Sequence, residues 1–147
     1  MKSLLFKINL SLLLSLVASF SFGQNSDDIK FEKTTQKFMK VDEGHQITLS
    51  YNFTYNGNVQ LKITPPKVDC SCTEVILPEN DIQPNSTNTI KIKFNTFDKI
   101  GWQERNVTLH FTSNLMDSIS IEKILTFKGM VKASKATKAA YKSNEKK

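Results

Sequence analysis

The sequence predicts an all-β sandwich of about seven to nine short strands, and three observations carry that expectation. Apolar residues recur at every second position through the body of the chain, turn-forming residues punctuate these runs, and no segment offers a long helical period. Period two places one side of a strand in a core and the other in water.

The first runs cover Ile29 to Glu32 and Lys37 to Val41. The clearest strand follows, with Ile47, Leu49, Tyr51, Phe53 and Tyr55 alternating with polar neighbours. Asn56-Gly57-Asn58 then reads as a tight hairpin turn, because Asn and Gly tolerate the positive φ that such turns demand. Val59, Leu61 and Ile63 resume the alternation, and Pro65-Pro66 ends it by removing ladder donors. Ile90, Ile92 and Phe94 form the next run, and Val107, Leu109 and Phe111 another. A last pair of strands is expected over Ser118 to Ile121 and Ile124 to Val131. Lys91 and Lys93 share one outward face, with Lys62 expected nearby, where they act as gatekeeping charges or partner contacts.

The ends differ from this body. Residues 1–23 have a short basic start at Lys2 and Lys7, an apolar run from Ile8 to Phe22 and a small-residue site at Ser21-Phe22-Gly23. That is the layout of a signal peptide cleaved before Gln24, followed by a flexible leader over 24–28. Diluted by serines, the run falls short of the roughly 20 apolar residues of a spanning helix, so the mature chain is not expected to be transmembrane. The expected location is exported: periplasm, cell surface or secreted. A single β-sandwich domain is expected over 29–131, within the usual ~100–200 residues per domain.

The formal charge is +6, from 20 basic and 14 acidic residues. Two lysines belong to the expected signal peptide, and six lysines with Glu145 belong to 132–147. Removing these leaves twelve basic against thirteen acidic residues, a body charge of −1 that gives no basic groove and no case for nucleic acid. The Lys/Ala-rich tail, 132–147, would gather Lys132, Lys135, Lys138 and Lys142 along one side if helical, a shape suited to an anionic membrane or glycan surface. With Tyr141 as its only large apolar residue, its composition instead predicts a disordered end.

Chemistry concentrates at Cys70-Ser71-Cys72. A bridge there closes a very small loop and contributes only about 1.5 kcal/mol in the loop-entropy account. Thiol catalysis needs an activating cation or helix terminus, whereas Asp69 and Glu74 flank the pair and Lys67 is the only nearby base. Copper(I) is satisfied by few sulfur ligands, so metal handling by Cys70 and Cys72 stays open, although His45 and His110 lack a ligand spacing. No serine-nucleophile elbow, phosphate loop or carboxylate pair points to an enzyme, and no cofactor is implied. Asp42-Glu43 reads as solvated charge in a turn. Trp102, the only tryptophan, serves as a core or rim aromatic, or as a contact if exposed.

Several landmarks together resemble a family. They are Phe38, Gly44, Phe53 and Gly57, then Cys70-Ser71-Cys72-Thr73, Ile82-Gln83-Pro84, Phe94-Asn95-Thr96, Gly101, Ser113-Asn114 and Gly129-Met130-Val131. In that order they resemble the exported bacterial domain of unknown function 1573 (DUF1573), related to ASPM-SPD2-Hydin and major-sperm-protein-like domains. The resemblance implies an immunoglobulin-like (PapD/MSP-like) sandwich and export, and no activity. Met39 and Ser71 stand where the family has glycine. A glycine admits positive φ and serine resists it, so the backbone at Ser71 decides whether the small ring can close.

The leading functional expectation is a non-enzymatic interaction or assembly module at the cell envelope, whose partner is an envelope protein or complex. Its contact surfaces are sheet edges, the loops from Pro65 to Pro84 and Phe97 to Trp102, and the side chains of Trp102, Lys91 and Lys93. The alternative is a copper(I)-handling or thiol-redox protein using Cys70 and Cys72.

Overall fold

The computed structural model describes residues 28–113 and 120–144. The expected signal peptide, nearly all of the leader, Asn114 and the Ser118-Ile119 start of the last strands lie outside the described residues. Among the described residues, ten strands and one helix run in the order β1 (Ile29–Phe31), β2 (Thr35–Lys37), β3 (Val41–Asp42), β4 (Gln46–Tyr55), β5 (Leu61–Ile63), β6 (Lys67–Val68), β7 (Thr73–Ile76), β8 (Ser86–Asn95), β9 (Gly101–Ser113), β10 (Ser120–Lys132) and α1 (Lys135–Asn144). A four-stranded sheet, β1-β4-β8-β7, faces a six-stranded sheet ordered β2-β10-β9-β5, in which β3 also pairs with β10 and β6 with β9. This is the all-β sandwich that the alternation predicts.

The core is built from every second residue of the long strands. Leu49, Tyr51, Phe53 and Tyr55 of β4 and Ile90, Ile92 and Phe94 of β8 face Val107, Leu109 and Phe111 of β9 and Leu125, Phe127 and Val131 of β10, all buried. Aromatic pairs tie the sheets together: Phe53 meets Phe111 edge-on at 5.6 Å and Phe94 lies 5.1 Å from Phe127. Each fully buried side chain of this size contributes roughly 1.5–3 kcal/mol. The Tyr51 hydroxyl crosses the core to donate to the Thr126 carbonyl at 2.8 Å, and burial raises its pKa to about 12.

Four local expectations change. β4 and β5 do not form a hairpin, because they belong to different sheets and Gly57 is not at positive φ. Gly57 is needed for another reason: the Tyr55 ring lies where a side chain would project, with its hydroxyl donating to the Val59 carbonyl at 2.7 Å. The connection therefore folds under a tyrosine and crosses between sheets. The two expected C-terminal strands are one strand, β10, paired with β9 without a break from Ser120 to Val131. Lys123 occupies an inward position of that strand between Ile121 and Leu125, which interrupts the apolar alternation without ending the strand. Lys62 lies on β5, in the sheet opposite Lys91 and Lys93 on β8.

The fourth concerns the tail. The disorder expected over 132–147 is replaced by β10 at Lys132 and by α1 over Lys135–Asn144. Ser134 caps α1, its hydroxyl accepting from the Thr137 amide at 3.1 Å, and Lys142 in the last turn suits the negative end of the helix. No residue of α1 is buried, so the cap and the contacts of its first turn carry its order.

Edge closure explains two landmarks far apart in sequence. β2 and β3 run parallel to β10, with Lys37 opposite Lys128 and Val41 opposite Val131, so one extra residue bulges over Phe38–Lys40. Phe38 turns inward there, 6.0 Å from Phe94, and its ring occupies the space a side chain at Gly129 would need.

Replacing Tyr51 with Phe keeps the ring and removes the cross-core hydrogen bond, leaving the Thr126 carbonyl without that donor. We expect a loss of about 1–3 kcal/mol in urea unfolding with an unchanged m-value.

Candidate functional site

One end of the sandwich gathers the turn between β3 and β4, the loop between β8 and β9, the cysteine turn between β6 and β7, and the start of α1. Thr96 holds the first two together. Its fully buried hydroxyl donates to the His45 carbonyl at 2.7 Å and accepts from the His45 amide at 2.9 Å, while its own amide donates to the same carbonyl at 3.0 Å. Gly44, at φ 89°, gives the turn the left-handed step it requires.

The fixed turn aims Glu43 at two further segments. Its Oε1 accepts from the Asp98 amide at 3.1 Å, and its Oε2 accepts from the Ser134 amide at 3.3 Å and from the Thr137 hydroxyl. The Glu43 amide donates to the Lys132 carbonyl at 2.8 Å. Glu43 is thus a junction rather than the solvated turn charge that the sequence suggests. These bonds, led by the Thr137 hydroxyl and then the Ser134 amide, hold its carboxyl below the ordinary value of 4.5. It also supplies the negative charge that α1 lacks in its own first turn.

The cysteine turn is where the chain changes sheets. Lys67 and Val68 pair with Thr108 and Val107 of β9, whereas Thr73 pairs with Phe94 of β8. Asp69 fastens one side, its carboxylate accepting from the Asn106 amide at 2.7 Å. The Cys72 carbonyl fastens the other, accepting from the Asn95 amide at 2.9 Å. Between them the Thr73 amide donates to the Cys70 carbonyl at 3.1 Å, closing a β-turn with Ser71 and Cys72 at its centre. Neither central residue has positive φ, so the turn takes serine without penalty. The Cα atoms of Cys70 and Cys72 are 5.2 Å apart and their sulfurs are in close contact.

The other sequence candidates are spread out. His45 directs Nδ1 at the Asp42 carbonyl, 2.9 Å away, and His110 faces Glu122 on the outer side of the six-stranded sheet at 3.8 Å. Among the described residues no group of three or more His, Cys, Asp or Glu side chains forms a metal-sized cluster. Lys93 pairs with Glu74 at 3.6 Å and Lys91 lies exposed beside it on β8, whereas Trp102 stands on the opposite sheet. Trp102 is 56% exposed and directly opposite Met130, so it is a surface aromatic rather than a core one. A cavity of about 170 Å³ between Lys62-Ile63 and residues 77–82 is smaller than the roughly 300–1,000 Å³ of ligand pockets. No described helix is long and apolar enough to cross a membrane.

Sequence reasoning missed Glu43 and passed over Thr96 as one letter of a landmark. The usable signal was local: a polar residue ending the Phe94 strand, and a carboxylate just before a turn glycine.

Two facing sheets with this strand order make an immunoglobulin-like sandwich. The ASH/PapD-like domain 7 of human CEP192 superposes with a TM-score of 0.62 at 8% identity, covering 78% of this chain and 93% of that one. The periplasmic chaperone SfaE superposes at 0.53 with 11% identity, covering 70% and 56%, and the YadV chaperone at 0.51 with 14% identity, covering 71% and 52%. The chain therefore spans about half the length of either chaperone, and the likeness is one of fold. No curated protein sequence matches it. The family model described as protein of unknown function (DUF1573) matches residues 29–131, and the chain belongs to that family.

Because the folded-state pKa of Glu43 is lowered, its contribution is complete above the ordinary carboxyl value and is lost as pH falls through the lowered one. Protection of the Ser134 amide, taken relative to its intrinsic exchange rate at each pH, is expected to fall in that acid range. In Glu43→Gln that protection is expected to be low at every pH.

Proposed function

We propose that the chain is an exported, non-enzymatic sandwich that serves as an interaction or assembly module at the bacterial cell envelope. The observation that carries this reading is the exposure of Trp102, the only tryptophan of the chain, against Met130 on an outer sheet face. Large aromatics of this kind are enriched where surfaces meet, because they contribute contact area with few rotors to freeze. The loop from Phe97 to Ile100 beside it adds two further exposed apolar side chains. Export is supported by the leader pattern of residues 1–23, and an interaction role agrees with the periplasmic chaperones among the proteins of like fold.

For the cysteines, the reading is a bridge formed after export that locks the sheet-changing turn. Asp69 and the Cys72 carbonyl already hold that turn from both sheets, so the bridge adds only about 1.5 kcal/mol.

A photoreactive residue introduced separately at Trp102 and at Lys91 tests the two candidate faces in living cells. Adducts in the envelope fraction from position 102 are expected. Adducts from position 91 alone would move the contact to the other sheet, and none from either would defeat the proposal. Intact mass with and without reductant is expected to show loss of both thiol hydrogens. Tight copper(I) binding abolished by Cys70→Ser would favour metal handling instead.

A further inference from the structure

The end of the sandwich that carries Trp102 combines apolar tips with lysines on four separate segments. At the bulge Met39 projects with 86% exposure, followed by Lys40. It flanks Gly129-Met130, because the Phe38 amide bonds to the Lys128 carbonyl and Val41 pairs with Val131. In the loop after β8, Phe97 is 63% exposed and is followed by Asp98 at φ 55°, Lys99 and Ile100. Trp102 and Met130 are cross-strand neighbours. α1 then leaves the same end, held to the loop by the Glu43 carboxylate that accepts from both Asp98 and Ser134. Lys135, Lys138 and Lys142 follow helical spacing along one side, with Tyr141 flanking them.

Charge on this end is one-sided. Lys40, Lys99, Lys132, Lys135, Lys138 and Lys142 stand against Asp42, Glu43 and Asp98, and the Glu43 carboxylate is already engaged by backbone and hydroxyl donors. No salt bridge among the described residues involves any of those lysines. The rest of the body holds ten basic against ten acidic residues and is neutral, so the cationic character is local. Apolar and aromatic tips interleaved with lysines are the chemistry of an interfacial site: the tips enter the headgroup boundary while the ammonium groups reach anionic headgroups. A protein partner of average surface would not require this excess of one charge at the end that carries the apolar tips.

We infer that this end docks on the surface of an anionic phospholipid bilayer, with α1 lying along the headgroups and Phe97, Ile100, Trp102 and Met39 inserted. The inference rests on the reading of Trp102 as a contact residue and names what it contacts.

Trp102 is its own probe, since no other tryptophan is present. The processed chain recovered from export is mixed with phosphatidylcholine vesicles, with and without phosphatidylglycerol. Binding only to the anionic vesicles, a blue shift of Trp102 emission and release by salt are expected. The combined variant K135Q/K138Q/K142Q, altered only at exposed positions, is expected to bind about a hundredfold more weakly, from roughly fivefold per lysine. Circular dichroism of that variant reports whether its sandwich is intact, and the double variant F97S/I100S is expected to bind without the full blue shift. Absence of binding to anionic vesicles, or binding that leaves Trp102 emission and the lysine variant unchanged, overturns the inference. If vesicles fail while position 102 still cross-links to an envelope protein, membrane docking falls and the interaction module stands. If both fail, both fall.

Discussion

The hydroxyl of Thr96 is the constraint from which the loop end of this protein is built. A fully buried hydroxyl must find partners, and here both its donor and its acceptor are spent on one residue, His45. Without it, the His45 amide would lose its partner and the His45 carbonyl would keep only the Thr96 amide. With it, the turn before β4 has a single orientation, and Glu43 is delivered to the one place where a carboxylate meets a loop amide and a helix start together. Three segments remote in sequence are thus positioned by one short side chain. Their geometry is a property of backbone hydrogen bonding rather than of apolar packing.

The family landmarks acquire physical meaning as contacts rather than as chemistry. Phe38 belongs with Gly129 because the ring takes the space above the glycine. Gly57 belongs with Tyr55 for the same reason. Asn95 and Thr96 follow Phe94 because the amide of one holds the cysteine turn and the hydroxyl of the other holds the β3–β4 turn. The cysteines sit where the chain passes from one sheet to the other, a point at which neither ladder can hold it alone. On this geometry the cysteine motif marks a corner between the two sheets.

How much of this was legible in the sequence depends on the range of the interaction. Period-two alternation is local, so β4, β8 and β9 could be read directly, and so could the sandwich. The Asn56-Gly57 signal was local as well but ambiguous, since a glycine that admits a left-handed turn also admits a ring packed against it, and Tyr55 uses the second property. Lys123 disguised a continuous strand as two. The helix was illegible because its acidic N-terminal partner is Glu43, on a different strand connection, and no propensity sum over 132–147 contains it. At the end that carries Trp102, that residue was legible as a candidate, while the lysines and apolar tips around it belong together only once the pairings of β3 with β10 and of β8 with β4 are known.

The placement of β10 has a consequence for how the chain is made. The last strand in sequence occupies an interior position of the six-stranded sheet, between β2 and β9, and Thr35 waits for Thr126 as its pairing partner. A ribosome releases residues in order, so the inner faces of β4, β8 and β9 are complete before the strand that shields them exists. Until then Phe53, Phe94 and Phe111 line an unfinished surface prone to wrong pairings, and early collapse gains nothing from β2 and β3, whose ladder partner is β10. A chain stopped before residue 120 is therefore not a smaller version of this domain; it is a sheet missing its middle, and quality-control proteases will meet it as such.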